Sequence, residues 1–166
     1  EWREFHREKL DVLEDILEQI NSPTIVAYQY RHDLYRLQKR FPKVPNIGRG
    51  TKNIETIVKN WNANKYPFLF MHRSSGFGLN MHEGGARHVV FFSLTYSREN
   101  FDQLIARVGP ARRTGETTPT MVYPIIAKNT VDQDLIWPSL VFKHEQQKSL
   151  LDALREYTIN KHGIEI

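Results

Sequence analysis

Apolar residues along this chain recur with two alternating rhythms. Residues 5–20 place Phe5, Leu10, Leu13, Ile16, Leu17 and Ile20 at helical spacing with charges between them, which predicts an amphipathic helix. Asn21-Ser22-Pro23 ends it, because proline cannot continue the hydrogen-bond ladder. Thr24-Ile25-Val26-Ala27-Tyr28-Gln29-Tyr30 is short, β-branched and aromatic, the signature of a buried strand. Asp33 to Phe41 reads as a helix with Leu34 and Leu37 inward, and Pro42 stops it. A short strand near Val44–Ile47 leads to the loop Gly48-Arg49-Gly50. Thr51 is the expected cap of the next helix, whose apolar face is Ile54, Ile57, Val58 and Trp61.

The same alternation continues. Pro67-Phe68-Leu69-Phe70-Met71 reads as a strand, followed by a glycine-rich loop from His72 to Gly85 with room for a short helix from Phe77. His88-Val89-Val90-Phe91-Phe92 reads as a strand and Glu99 to Val108 as a helix. A polar loop from Gly109 to Pro119 precedes a strand over Met121 to Ala127. Thr130 is the expected cap of a helix interrupted at Trp137-Pro138, and a last helix runs from about Phe142 to Ile159. Strands alternating with helices predict an α/β fold, with a mostly parallel central sheet and helices on both faces. With no internal repeat and no linker long enough to split the chain, residues 1–166 are expected to form one domain. Residues 138–166 would be a helical extension at its end.

Composition narrows the class. Hydrophobic residues make up 40% and charged residues 25%, as in an ordinary globular core. Cysteine is absent, so no disulfide framework and no Cys-based zinc site exists, and the seven histidines have no ligand-like spacing. No apolar run approaches the roughly 18 residues of a membrane span. The chain opens on Glu1-Trp2-Arg3-Glu4, which is neither a signal peptide nor an initiating Met, and we read it as a piece of a longer protein. The net charge of +4 suits a polyanionic partner, though it equally suits a solvated basic surface.

Several familiar engines are missing from the sequence. It has no Gly-x-x-x-x-Gly-Lys-Ser/Thr phosphate loop, no complete Gly-x-Gly-x-x-Gly fingerprint, no Gly-x-Ser-x-Gly elbow and no His-Glu-x-x-His. Two loops carry unusual chemistry instead. The first, Ser74-Ser75-Gly76-Phe77-Gly78-Leu79-Asn80, follows a strand, and its paired glycines let backbone approach a ligand closely. An ordinary strand-to-helix turn would look similar. The second pairs Gln103 with Arg107 on one helix face and continues into Arg112-Arg113-Thr114-Gly115-Glu116-Thr117. Arginines and a glutamine converging there could receive phosphate or carboxylate, while a solvated basic loop is the plainer alternative.

In this order the two loops resemble the second lobe of Swi/Snf-type superfamily 2 helicases. Ser75-Gly76-Phe77-Gly78-Leu79-Asn80 is similar to that family's fifth motif. Ser93-Leu94-Thr95-Tyr96-Ser97 resembles its aspartate-proline-tryptophan-tryptophan-asparagine turn, and Gln103-Leu104-Ile105-Ala106-Arg107 the start of its sixth motif. Thr117 to Asp132 looks like the strand and continuation that follow, and Ile25-Val26-Ala27-Tyr28 occupies the place of the fourth motif's strand. The resemblance covers roughly residues 8 to 136. There are departures from the pattern. Pro110 stands where the family carries its second arginine, so Arg113-Thr114-Gly115-Glu116-Thr117 aligns only across an insertion of three residues. Ser93 replaces the turn aspartate, and the aromatic pair is reduced to Tyr96. They suggest a divergent branch, of phage or prophage type.

The resemblance implies a RecA-like three-layer fold and one half of an ATP-driven DNA helicase or translocase. ATP and Mg2+ would be held mainly by an N-terminal RecA-like lobe of the same polypeptide. Arg107 and Arg113, with Arg112 close behind, would reach the γ-phosphate as arginine fingers, and Gln103 would orient nucleotide or water. Gly76, Gly78 and Asn80, with Gln103 and Arg107, would face the nucleotide. Ser74, Ser75, Lys39, Arg40 and Tyr96 would meet duplex DNA without reading its sequence. Lys39 and Arg40 could instead form a plain solvated helix end, and Tyr96 could pack instead of stacking. The chain alone is expected to hydrolyse no ATP. The implied setting is the cytoplasm of a bacterial or phage-infected cell, beside the nucleoid. A non-catalytic nucleic-acid-binding or partner-docking domain of the same fold is the alternative.

Overall fold

The structure is a computed structural model that describes residues 8–75, 79–108 and 119–141, apart from the side chains of His82, Arg107 and Val108. In chain order the elements are α1 (Glu8–Gln19), β1 (Thr24–Tyr28), α2 (Arg31–Arg40), β2 (Asn46–Ile47), α3 (Ile54–Asn62), β3 (Phe68–His72), β4 (His88–Phe91), α4 (Arg98–Val108), β5 (Met121–Pro124) and α5 (Trp137–Val141). A 3₁₀ turn spans His82–Gly84, and a π-helical turn over Asp132–Ile136 runs into α5.

The strands form one sheet in the order β2-β3-β1-β4-β5, with every pairing parallel. Parallel strands need crossover helices, and helices on both faces remove water from both sides of the sheet. The apolar runs follow from this. All five residues of β1 are buried. Side chains alternate across the sheet. Ile25, Ala27, Leu69, Met71, Val89 and Phe91 face a core closed by α3, α4 and α5. Val26, Tyr28, Phe70, Val90 and Phe92 face a second core closed by α1 and α2 through Leu10, Leu13 and Leu37. This is the α/β architecture with helices on both faces that the alternation predicted.

Local differences have physical causes. Thr51 does not cap α3; Asn53 precedes the helix in a left-handed conformation (φ 59°), and the Thr51 hydroxyl accepts from the Gly48 N–H at 2.9 Å, closing the preceding loop. The β5 ladder stops at Pro124, short of Ala127, although Ile125 N–H still reaches the Phe91 carbonyl at 3.0 Å. Proline lacks the donor that a continuing strand needs, and β5 lies at the sheet edge, where this is tolerated. The Thr130 side chain does not cap the next turn; its hydroxyl donates back to the Ala127 carbonyl at 2.7 Å. Pro138 does not interrupt the helical run: the turn just before it widens to a π-helix, with the Trp137 N–H on the Asp132 carbonyl, and this accommodates a residue that has no N–H. The short helix expected from Phe77 begins outside the described residues, and a 3₁₀ turn lies at His82–Gly84. The expected helix over 142–159 lies outside the described residues.

Trp61 ties the loop after β3 to the core. It is fully buried, and its indole N–H donates to the Met81 carbonyl at 3.2 Å. Gly84 packs on the indole so closely that a Cβ there would lie 2.7 Å from Nε1 and 2.9 Å from the Trp61 carbonyl oxygen. Gly84→Ala is therefore expected to cost about 1–3 kcal/mol by overpacking, read as a lower midpoint in urea unfolding.

Candidate functional site

In open parallel sheets, a crevice forms beyond the carboxyl ends of the strands where neighbouring connections leave to opposite faces. Here that point lies between β1 and β4. The chain leaves β1 into α2 on one face, and leaves β4 into α4 on the other. The residues just past these strand ends, with those past β3, are the candidate site.

A buried carboxylate locks two of the turns together. Asp33, 5% exposed, accepts at Oδ2 from the Tyr30 N–H (3.1 Å) and from the Ser93 hydroxyl (2.8 Å). The Ser93 oxygen in turn accepts from the Gln29 N–H at 2.8 Å. Ser93 thus ties the end of β1 and the start of α2 to the turn after β4. Burial pushes the Tyr30 phenol up to about 12, with Tyr96 adding to the rise, so it stays neutral at ordinary pH.

The loop after β3 joins them. His72 reaches the Gln29 carbonyl through Nε2 at 3.0 Å and the Ser74 hydroxyl through Nδ1 at 2.9 Å, and its ring meets Tyr28 edge-on. Arg73 donates through Nη1 to the Thr95 hydroxyl at 3.3 Å, and its own N–H bonds the Tyr28 carbonyl at 3.1 Å. Two buried polar atoms at these strand ends, Gln29 Oε1 and Arg73 Nε, have no partner among the described residues. An unpaired buried polar atom costs about 1–3 kcal/mol, so this edge suits a polar ligand. A separate depression of about 480 Å³ opens among Ile16, Ile20, Ser22, His88 and Tyr123, at the opposite strand ends.

Comparison with known proteins agrees with this architecture. Residues 8–112 match the helicase conserved C-terminal domain family. The chain belongs to that family. It is 37% identical over 158 residues to protein p41 of Acyrthosiphon pisum secondary endosymbiont phage 1, covering 93% of this chain and 33% of that protein. It is 35% identical over 74 residues to the ATP-dependent helicase fft1 of Schizosaccharomyces pombe, covering 45% of this chain and 7% of that protein. The C-terminal part of the Fun30 ATPase domain superposes with a TM-score of 0.67 at 18% identity, over 82% of this chain and 45% of that one. At that identity the likeness speaks for the fold alone. The chain spans about a third of p41 and a far smaller share of fft1.

Within this helicase C-terminal domain the expected site residues fall into groups. Ser74 and Ser75 sit on the turn after β3, where the Ser75 N–H bonds the His72 carbonyl at 2.9 Å. Asn80 is exposed, and its carbonyl accepts from the Asn62 side chain at 2.9 Å. Tyr96 lies at the β1–β4 junction. Gln103 is half-buried on α4, donating to Glu99 at 3.0 Å, and Arg107 stands four residues further along the same helix. Lys39 is exposed near the end of α2, whereas Arg40 is engaged by Glu14 and Asp11 of α1. Gly76, Gly78, Arg112 and Arg113 lie outside the described residues, as does the Arg107 side chain. Sequence reading passed over Gln29, Tyr30, Asp33, Arg73 and Thr95. Their signal was positional: each lies within a few residues of the end of a strand expected to be parallel.

Ser93→Ala should cost about 1–3 kcal/mol in chemical denaturation, because it strands the buried Gln29 N–H and removes a donor from Asp33. Burial, with help from Arg73 and Arg87 respectively, holds His72 and His88 below their ordinary 6.5. The folded state therefore binds fewer protons than the unfolded one, so stability present above 6.5 is lost as pH falls below it. The unfolding midpoint should drop from pH 7 towards pH 5, and a His72→Gln/His88→Gln variant should show a shallower drop.

Proposed function

We propose that this chain is the second motor lobe of a Swi/Snf-type, ATP-driven DNA translocase, closing an ATP site shared with an N-terminal RecA-like lobe. One observation carries the reading. In a chain of the helicase C-terminal family, the two motif-bearing turns after β3 and β4 meet at one sheet edge, joined by Arg73 and Thr95.

The residues fit half of a nucleotide site. The sequence lacks a phosphate loop, so Mg2+ and most of ATP are assigned to the other lobe. Bound ATP supplies a γ-phosphoryl group whose transfer spreads negative charge over its oxygens. Arg113, with Arg112 beside it and Arg107 on α4, would set guanidinium donors against that charge. Gln103 lies on the same face of α4 as Arg107 and would orient nucleotide or water. Gly76, Gly78 and Asn80 would carry the nucleotide state to the strand-binding surface.

On that surface Ser74, Ser75, Lys39, Arg40 and Tyr96 would meet the DNA backbone, fixing position without reading sequence. Arg40 would have to leave Glu14 to do so, which makes Lys39 the stronger candidate of that pair. Lobe closure and reopening would drive stepping. The likeness to a phage protein supports a phage or prophage origin and work in the bacterial cytoplasm, beside the nucleoid.

The test is DNA-stimulated ATP hydrolysis by this chain alone and by the longer protein that carries it. The chain alone should be silent and the longer protein active, with Arg113→Ala lowering kcat on the order of a thousandfold. Indifference to Arg113→Ala would move the finger to Arg112. A longer protein without ATPase would favour a binding module of the same fold.

A further inference from the structure

The turn after β2 is built as a rigid mount. The Thr51 hydroxyl accepts from the Gly48 N–H at 2.9 Å and from the Asn46 side chain at 3.4 Å, and the Thr51 N–H returns to the Gly48 carbonyl at 3.1 Å. Asn46 is held in turn by the Tyr28 phenol, which donates to its Oδ1 at 2.8 Å. Gly48 is tucked under that phenol so closely that a Cβ there would lie 2.5 Å from the Tyr28 oxygen. The turn is thus tied to β1 across the intervening β3.

Two cations ride on this mount. Arg49 and Lys52 are exposed, and neither side chain is paired among the described residues. Cations at the neighbouring strand ends are engaged: Arg73 after β3 donates to Thr95, and Arg98 after β4 is paired with Asp102. The register of Ile47 with Met71 sets Gly48-Arg49 beside His72-Arg73, at the roughly 5 Å spacing of adjacent strands. Ser74 and Ser75 follow directly, so both turns open on the edge already assigned to DNA. Lys39 stands elsewhere. It lies eight residues along α2 from Arg31, about 12 Å down a helix that leads away from that edge. The turn after β3 therefore draws no charge from it.

We propose that Arg49 and Lys52 grip backbone phosphates of duplex DNA, extending the strand-binding surface from the turn after β3 to the turn after β2. This rests on the strand-contact reading above and supplies the charge that Ser74 and Ser75 lack. A phosphodiester backbone fits the pair because each cation can neutralise one phosphate and release its counterion. Such contacts fix position and carry no sequence information, as a translocase needs. The anchored turn loses little freedom when the backbone arrives.

The experiment is fluorescence anisotropy with the longer protein that carries this chain, using a labelled duplex over a series of salt concentrations. Arg49→Ala/Lys52→Ala should weaken binding and make the slope of log affinity against log salt shallower by about two, at roughly 0.9 per phosphate. Arg49→Lys, which keeps the charge, should leave the slope as it is. The control is Lys65→Ala, an exposed cation that precedes β3 at the opposite strand ends; it should also leave the slope unchanged. If the double variant fails to fold by circular dichroism, each single alanine variant should take about one from the slope. A double variant with the native slope overturns the proposal, as does an equal fall in Lys65→Ala; either result leaves the motor-lobe reading standing if the duplex still stimulates ATPase. A native protein that does not bind the duplex overturns both.

Discussion

The parallel pairing of β1 with β3 on one side and β4 on the other organises the molecule. A strand paired on both edges and covered on both faces leaves no side chain in water, and all of β1 is buried as a result. Parallel pairing also forces each connection to cross back over the sheet, so the ends of β1, β3 and β4 open on the same edge. The candidate site is the set of residues that follow those three ends. Their proximity is a consequence of pairing, not of closeness in sequence.

On that edge the structure trades apolar packing for a polar lock. Asp33 is a carboxylate in a protein interior, which is costly unless its oxygens are satisfied. Here one oxygen takes donors from two different turns, so the charge spends its hydrogen bonds on joining them. Ser93 stands at the position where the resembled family carries an aspartate, and its hydroxyl both donates and accepts within the lock. A serine can bridge an acid and an N–H at once, which a second carboxylate could not do beside Asp33.

The motor reading and the architecture support each other in a specific way. A half-site needs its cationic groups on a rigid helix that starts at the ligand edge, and α4 begins there with its Phe101 and Leu104 sunk in the core. Gln103 and Arg107 then stand on a face set by that burial. The turns after β3 and β4, where the proposal sets Ser74, Ser75 and Tyr96 against the strand, are coupled to α4 through Thr95 and Ser97: the Asn100 N–H bonds the Ser97 hydroxyl at 3.3 Å, and the Ser97 N–H bonds the Thr95 hydroxyl at 3.2 Å. A shift at one of these turns has a short route to the helix that carries Gln103.

The sequence by itself determined the helix and strand order, the two-faced parallel sheet, and the family, because apolar periodicity and motif order are local properties that survive divergence. It singled out Gln103, Arg107 and the Gly76–Asn80 segment as candidates for the same reason. It did not reveal that Asp33 binds Ser93 or that Arg73 reaches Thr95, pairs separated by 60 and 22 positions. Nor did it show that Arg40, which looked like a free cation, is held by Glu14 across the α1–α2 contact. Contacts of that kind depend on strand register and on which helix covers which face. Only the folded sheet, with β1 buried at its centre and the ends of β1, β3 and β4 on one side, settled them.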